Sequence, residues 1–63
     1  MLTKYFLTDE QKNTLERSYL RDRERAVFKR YYRRGHSIED IAAELDISRR
    51  TVDRELASLR KRL

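Results

Sequence analysis

The chain has 63 residues, 43% of them charged, and a formal net charge of +5 at pH 7. This length corresponds to one small domain, and the basic balance favours a polyanionic partner such as nucleic acid. The absence of cysteine and the single histidine exclude disulfides and any metal site built from several histidines. No apolar run approaches the roughly 18 residues that span a bilayer and no signal peptide is apparent, so we expect a cytoplasmic protein with no membrane partner.

An N-terminal segment and a first helix are predicted within residues 1–20. The apolar residues of the segment, which have no clear period, are Leu2, Tyr5, Phe6 and Leu7. They either close the core or form an exposed interaction patch. Thr8 and Gln11 have the spacing of a capping box, which predicts a helix that runs to about Tyr19 with Leu15 and Tyr19 on one face.

A second helix is predicted over residues 22–34. Asp22 is expected to cap its start, and Gly35, the only glycine of the chain, is expected to end it in a left-handed conformation. Its apolar face consists of Val27, Phe28, Tyr31 and Tyr32. Aromatic rings also stack on nucleic-acid bases, but at this helical spacing we interpret them as core. Their expected packing partners are Ile41, Leu45, Val52 and Leu56.

A row of basic residues follows the same helix at intervals of four. Its members are Arg21, Arg25, Lys29 and Arg33. Cations at this spacing repel one another by roughly a few tenths of a kcal/mol per pair unless they are neutralised. A phosphate backbone would neutralise them, and the alternative is a solvated face relieved by Asp22 and Glu24.

The pattern of residues 37–63 predicts two helices joined by a three-residue turn. Ser37 and Asp40 have the spacing of a capping box at the start of the first of these helices. Its apolar face, at i, i+3, i+4 and i+7, consists of Ile38, Ile41, Ala42 and Leu45. Its other side carries the acids Glu39, Asp40, Glu44 and Asp46. We therefore expect this helix to support the second one, with its acids directed away from nucleic acid or toward a basic protein.

The turn and the last helix follow from local residue chemistry. Asp46 tolerates the left-handed conformation that ends a helix, Ile47 fills the space between the helices, and Ser48 caps the last helix. The apolar stripe of that helix consists of Val52, Leu56, Leu59 and Leu63. Paired arginines on an exposed first turn are typical of a DNA-binding helix-turn-helix, and the alternative is an ordinary helical hairpin without a ligand.

A known sequence pattern covers about 44 of the 63 residues, from Leu20 onward. The matching residues are Arg23-Glu24-Arg25, Val27-Phe28, Tyr32, Gly35, Ser37, Glu39-Asp40-Ile41-Ala42, Leu45, Ile47-Ser48 and Thr51-Val52. On these residues the chain resembles region 4 of bacterial sigma factors, especially the extracytoplasmic-function group, and the similar LuxR-type response-regulator domain. Serine-recombinase DNA-binding domains share the motif. Asp46 replaces the usual glycine of the turn, and Arg30 stands where these families commonly have an apolar residue.

The resemblance implies an all-α fold, a small four-helix domain of residues 1–63 with a C-terminal helix-turn-helix. In such proteins the exposed residues at the start of the second helix enter the major groove. The residues expected to contact bases are Arg49, Arg50, Asp53 and Arg54. Arginine pairs with guanine and aspartate accepts from cytosine, so a half-site containing guanine is predicted. By resemblance, the three arginines fall on positions that sigma region 4 uses to contact the promoter upstream element.

Contacts with phosphate are expected from a second set of residues. They are Arg21, Arg25, Lys29, Arg33, His36, Ser48 and Thr51. Ser48 and Thr51 are near the start of the last helix, where backbone amides and the helix dipole favour an anion. His36 has no nucleophile or metal ligand that could make it a catalytic base.

These observations predict sequence-specific binding of double-stranded DNA by a prokaryotic or phage transcription regulator, associated with the nucleoid. One alternative is a protein-interaction module that docks on RNA polymerase or a sigma factor. Another is the DNA-targeting domain of a recombinase or terminase. No catalytic residue, metal ligand or cofactor site is predicted, and we do not expect an enzyme.

The leucines at the end of the chain suggest an assembly. Val52, Leu56, Leu59 and Leu63 are spaced by four, three and four, as in a coiled-coil seam. Leu59 and Leu63 are therefore candidate contacts of a homodimer on a palindromic site. The alternative is that both fold back onto Leu15, Tyr19 or the N-terminal aromatic residues.

Overall fold

The computed structural model describes residues 5–63, which form four α-helices and one π-helical turn. They are α1 (Asp9–Arg17), α2 (Asp22–Phe28), the π-helical turn (Lys29–Arg33), α3 (Ile38–Leu45) and α4 (Arg49–Lys61). No strand occurs in residues 5–63. The predicted all-α fold of four helices with a C-terminal helix-turn-helix is confirmed. Over the same residues, no helix is both long and apolar enough to cross a membrane.

One buried core joins all four helices. Its largest fully buried side chains are Leu15 of α1, Val27 and Phe28 of α2, Ile41 of α3, and Val52, Leu56 and Leu59 of α4. Tyr31 and Tyr32 pack against this core and remain partly exposed. The apolar faces predicted for the last three helices are therefore confirmed except at Leu63, which is 46% exposed. Each fully buried aliphatic or aromatic side chain stabilises the fold by about 1.5 to 3 kcal/mol.

The N-terminal segment closes this core. Tyr5 and Leu7 are buried, whereas Phe6 between them is 50% exposed. Such an alternation is typical of an extended segment with one face on the protein, because successive side chains point to opposite sides. Leu2, the fourth apolar residue of this segment, lies outside the described residues.

The first helix starts as predicted and ends early. The Gln11 amide donates to Thr8 Oγ1 at 3.1 Å and the Thr8 amide donates to Gln11 Oε1 at 2.9 Å, so the capping box is confirmed. The helix ends at Arg17 because Ser18 is extended, with φ −83° and ψ 155°. Tyr19 therefore leaves the helical face and is 86% exposed, and its predicted place beside Leu15 is wrong.

The start of α2 differs from the prediction. Asp22 is the first residue of the helix and not its cap. The capping bond comes instead from within the helix, where Glu24 Oε1 accepts from the Arg21 amide at 3.0 Å. Glutamate at the third helical position can reach back to the residue before the helix in this way.

The end of this helical run is as predicted, although its last turn is wider than expected. The Arg34 amide donates to the Lys29 carbonyl at 3.0 Å, five residues back, which is the bond of a π-helical turn. Gly35 follows with φ +74°. A residue without Cβ adopts this conformation readily, so Gly35 ends the run in the expected left-handed conformation.

Ser37 caps α3 with half of the predicted capping box. Its hydroxyl accepts from the Asp40 amide at 3.1 Å. Within residues 5–63 the Asp40 carboxylate makes no return bond to the Ser37 amide. The return bond normally comes from glutamate or glutamine, whose side chains are one methylene longer.

The turn between α3 and α4 follows the sequence closely. Asp46 has φ 55° and ψ 48°, so the left-handed conformation predicted for it is confirmed. The Ile47 amide donates to the Ala42 carbonyl at 3.0 Å, and the Ile47 side chain packs against the core. Ser48 then caps α4 by accepting from the Thr51 amide at 3.1 Å.

The coiled-coil seam predicted at the end of α4 is wrong. Leu59 is 0% exposed and belongs to the same buried cluster as Leu15 and Leu20. Leu63 lies beyond the helix and is 46% exposed. Leu59 thus folds back onto its own domain, and the two leucines do not form one surface for a second copy.

Candidate nucleic-acid interface

The side of α4 opposite the core is cationic. Val52, Leu56 and Leu59 fix the buried side, and the helical period of 3.6 residues places three exposed basic residues on the other side. These are Arg50, Arg54 and Lys61. In residues 5–63 none of the three forms an ion pair, so their charges are available to an anion.

The first turn of α4 is held by its cap. Besides the bond from the Thr51 amide, the hydroxyls of Ser48 and Thr51 lie 2.9 Å apart and share a hydrogen bond. Thr51 is partly buried and Ser48 is exposed. The two hydroxyls expected on phosphate therefore belong to the cap that orients Arg49 and Arg50.

Arg49 lies at the flank of this cationic side, next to the start of α3. One of its terminal nitrogens is 3.4 Å from Glu39 Oε1, and both side chains are largely exposed. An exposed pair of this kind contributes little stability, so Arg49 can leave Glu39 for a stronger anion. Arg49, Arg50 and Asp53 line an open groove together with Ile38 and Glu39.

Asp53 accepts a hydrogen bond from Tyr5, a contact that no pattern in the sequence predicts. The Tyr5 hydroxyl donates to Asp53 Oδ1 at 2.6 Å. Burial, reinforced by this bond to the Asp53 carboxylate, raises the pKa of Tyr5 to about 12, so the phenol stays protonated and remains a donor at neutral pH. Tyr5 is in a segment without period, and its aromatic character is the only signal that could have singled it out.

The basic row predicted on the second helix is divided in the structure. Arg21 and Lys29 are exposed. Arg25 donates to the Ser18 carbonyl at 3.2 Å, and Arg33 pairs with Glu16 at 2.9 Å while its guanidinium lies 5.6 Å from the centre of the Phe28 ring. The π-helical turn interrupts the four-residue spacing between Lys29 and Arg33.

His36 faces the acidic helix α3. Its Nδ1 lies 3.1 Å from Glu44 Oε2, without the alignment of a good hydrogen bond. Glu44 Oε1 accepts from Arg30 Nε at 2.9 Å, and another Arg30 nitrogen donates to the Ala26 carbonyl at 3.2 Å. Arg30 therefore connects α2 to α3, which explains the charged residue at this position.

The acids of α3 are partly neutralised by this arrangement. Glu39 pairs with Arg49, and Glu44 pairs with Arg30. Asp40 and Asp46 are exposed. Two of the four acidic charges predicted to form a separate face thus act as partners of nearby arginines.

Glu24 is a buried carboxylate that anchors the other end of α4. It is 2% exposed. Arg62 donates to both of its oxygens, at 2.9 and 3.0 Å, and Ser58 donates to Oε2 at 2.7 Å. The bonds from Arg62, together with those from the Arg21 amide and Ser58, lower the pKa of Glu24 to about 2 despite the opposing effect of burial. In the alternative of a solvated basic face, Glu24 was expected to relieve the basic row, but it is bonded to Arg62 and Ser58 instead.

The arrangement of α2, α3 and α4 defines a helix-turn-helix domain. Residues 19–62 match the family described as homeodomain-like domain, and this range covers more than half of the chain. The chain therefore belongs to the homeodomain-like domain family. The match leaves out the N-terminal segment and α1. No curated protein and no solved structure matches the chain. Among residues 5–63, no cluster of histidine, aspartate or glutamate could hold a metal ion.

Proposed function

We propose that this protein binds double-stranded DNA sequence-specifically and regulates transcription. The observation that carries the proposal is the outward-facing cationic side of α4, formed by Arg50, Arg54 and Lys61 on the second helix of the helix-turn-helix. In helix-turn-helix proteins this helix enters the major groove. A row of cations without ion pairs in the described part of the chain suits the negative charge of that groove.

Base contacts are proposed for the first two turns of α4. Arg50 and Arg54 are exposed and can each donate two hydrogen bonds to guanine O6 and N7. Arg49 becomes available once it leaves Glu39, and Asp53 can accept from cytosine N4. Ala57, which the sequence interpretation did not include, is partly exposed one turn further along and can contact a thymine methyl group.

Phosphate contacts are proposed for the basic residues in and next to α2, and those without a partner within residues 5–63 are expected to contribute most. Lys29 and Arg21 are exposed cations, whereas Arg25 and Arg33 already have partners on or next to α1. Ser48 and Thr51 can meet phosphate at the start of α4, where the helix dipole favours an anion. His36 would have to turn from Glu44 to reach DNA.

The resemblance to sigma factor region 4 and to LuxR-type domains supports a prokaryotic or phage regulator that acts at the nucleoid. A single small DNA-binding module buries roughly 600 to 1,000 Å² of its surface on DNA. We therefore expect one copy of this domain to bind DNA with modest affinity. Two of the four acids at α3, Glu39 and Glu44, are paired within the domain, which weakens this face for docking on a basic protein. DNA is therefore the partner that we favour.

A salt-dependent titration tests this proposal. We expect the purified protein to bind a fluorescent duplex of random sequence, with log affinity falling against log salt at a slope of about −4 to −5 for four to six neutralised phosphates. Arg54→Ala should weaken binding, whereas Arg17→Ala, which removes the same charge from the last turn of α1, should have a smaller effect. No binding at low salt, or binding independent of salt, would contradict the proposal and favour a protein-interaction module.

A further inference from the structure

Tyr5 lies far from α4 in sequence and adjoins it in the fold. It precedes the residues that define the family match, yet its hydroxyl is 2.6 Å from Asp53 Oδ1 and 3.4 Å from the Asp53 carbonyl oxygen. The side chain is 6% exposed. Asp53 is on the second turn of α4, within the proposed DNA-reading surface.

Tyr5 is itself held in place on two sides. The Tyr32 hydroxyl donates to the Tyr5 carbonyl at 2.6 Å. The rings of Tyr5 and Tyr31 meet edge to face, with centroids 6.5 Å apart and an interplanar angle of 88°. Because its backbone and its ring are both constrained, the Tyr5 hydroxyl has a defined position from which to orient Asp53.

The bond to Tyr5 occupies only one of the two oxygens of the Asp53 carboxylate. Oδ1 accepts from Tyr5, and within residues 5–63 Oδ2 accepts no hydrogen bond. Arg49 and Arg50 are four and three residues earlier on the same helix, where an unconstrained aspartate pairs readily with a cation. Neither arginine is within ion-pair distance of Asp53 in the described part of the chain. The Tyr5 bond therefore keeps the carboxylate from neutralising the arginines beside it.

We propose that Tyr5 is a positioning residue for DNA recognition, which fixes Asp53 so that Oδ2 accepts from the N4 amino group of one cytosine. This inference rests on the proposed function. A carboxylate in the major groove is attracted by the amino groups of cytosine and adenine. It is repelled by guanine O6 and N7, thymine O4 and adenine N7, so a fixed Oδ2 favours cytosine by attraction and by repulsion. A freely rotating aspartate would discriminate less.

The inference makes a distinctive prediction for Asp53→Asn. In this variant we expect the Tyr5 hydroxyl to keep donating to an oxygen in the place of Oδ1, so the amide nitrogen should face the base. The preferred base should change from cytosine to thymine, whose O4 acceptor occupies the place of cytosine N4. Without positioning by Tyr5, the amide could rotate and the preference would only broaden.

Selection of bound duplexes from a random DNA library tests the inference, with the parent, Asp53→Asn, Asp53→Ala, Tyr5→Phe and the control Tyr19→Phe. Tyr5→Phe keeps the ring and should lower the cytosine preference about fivefold at the position that Asp53→Ala relaxes. Tyr19→Phe removes an exposed hydroxyl and should change nothing. Positions read by Arg50 and Arg54 serve as internal references.

The possible results separate the two proposals. A parent that selects no sequence overturns both. A parent that selects a sequence while Tyr5→Phe keeps the full preference at the Asp53 position overturns only the role of Tyr5, and so does Asp53→Asn that broadens the preference without a change to thymine. Because Asp53→Asn leaves Tyr5 intact, it decides the matter even if Tyr5→Phe does not fold.

Discussion

Glu24 and Asp53 are two carboxylates that each accept a hydrogen bond from a residue far along the chain, at opposite ends of α4. Glu24 uses both oxygens, which accept four bonds from Arg62, Ser58 and the Arg21 amide. Asp53 uses one oxygen for Tyr5 and lies beside exposed arginines. We infer that the two ends of α4 have different roles. The end bonded to Glu24 holds the fold, and the end that carries Asp53 is left for a ligand.

The largest expected effect comes from removing the Glu24 carboxylate, whose two oxygens both accept hydrogen bonds. Glu24→Ala should cost about 3 to 5 kcal/mol, because Arg62, Ser58 and the Arg21 amide lose their acceptor. A domain of this size has a total stability of roughly 3 to 9 kcal/mol, so much of the variant should be unfolded at room temperature. Urea and thermal unfolding followed by circular dichroism measure the loss.

The matched control for that variant is Glu16→Ala, which removes the exposed partner of Arg33. Exposed pairs contribute little, and we expect a change below about 1 kcal/mol. If the two variants unfolded alike, the distinction between a buried anchor and a surface pair would have no energetic basis.

Lowering the pH should weaken the contacts of Glu24 with Arg62 and Ser58. The pKa of Glu24 is about 2 in the folded protein and 4.5 in its ordinary state, so its contribution is complete above pH 4.5 and is lost as the pH falls toward 2. The shift corresponds to roughly 3 kcal/mol. Urea unfolding of the parent between pH 5 and 2 should show this loss, and Glu24→Gln should show less of it. Equal pH dependence of the two proteins is the opposing result.

In the first two turns of α4, substitutions are expected to change DNA recognition and not the stability of the fold. Arg50→Ala and Arg54→Ala should each relax the preference for one base pair by about 1 to 3 kcal/mol in selection from random DNA. Their melting temperatures should stay near that of the parent, since exposed substitutions rarely change stability by more than about 0.5 kcal/mol. Loss of the cooperative melt in either variant would show that this end also holds the fold.

The smallest expected effect separates two cations that are four residues apart. Lys29 is exposed, whereas Arg33 is paired with Glu16. Lys29→Ala should reduce the salt slope of DNA binding by about 1, weakening all sequences alike. Arg33→Ala should reduce it less, because Arg33 is already paired with Glu16 and contributes less to a phosphate contact. The reverse order in a salt titration would mean that the pairing does not rank the phosphate contacts.

The features that could be predicted from the sequence are those set by neighbours within one helical turn. The caps at Thr8, Ser37 and Ser48 each use a backbone amide three residues ahead, and Asp46 and Gly35 meet local conformational demands. The apolar stripes of the helices follow from the same periodicity. These local rules were enough to predict four helices and a helix-turn-helix.

The features that could not be predicted depend on packing between distant residues. Tyr5 and Asp53 are 48 residues apart, and Glu24 and Arg62 are 38 apart. Periodicity shows that Leu59 is apolar, but it does not show whether its own core or a second copy covers it. The π-helical turn likewise has no signal in residue spacing, and it divides the basic row that the spacing predicted.

The first two turns of α4 are proposed to contact DNA, whereas Ser58 and Arg62 at its other end hold the fold through Glu24. A titration of the isotope-labelled protein with a selected DNA duplex, followed by the backbone amide NMR signals, tests this division of roles most directly. We expect the largest chemical-shift changes at residues 49–54, with small changes at Glu24, Ser58 and Arg62. Largest changes at Ser58 and Arg62, or no changes at residues 49–54 on binding, would contradict this division of roles.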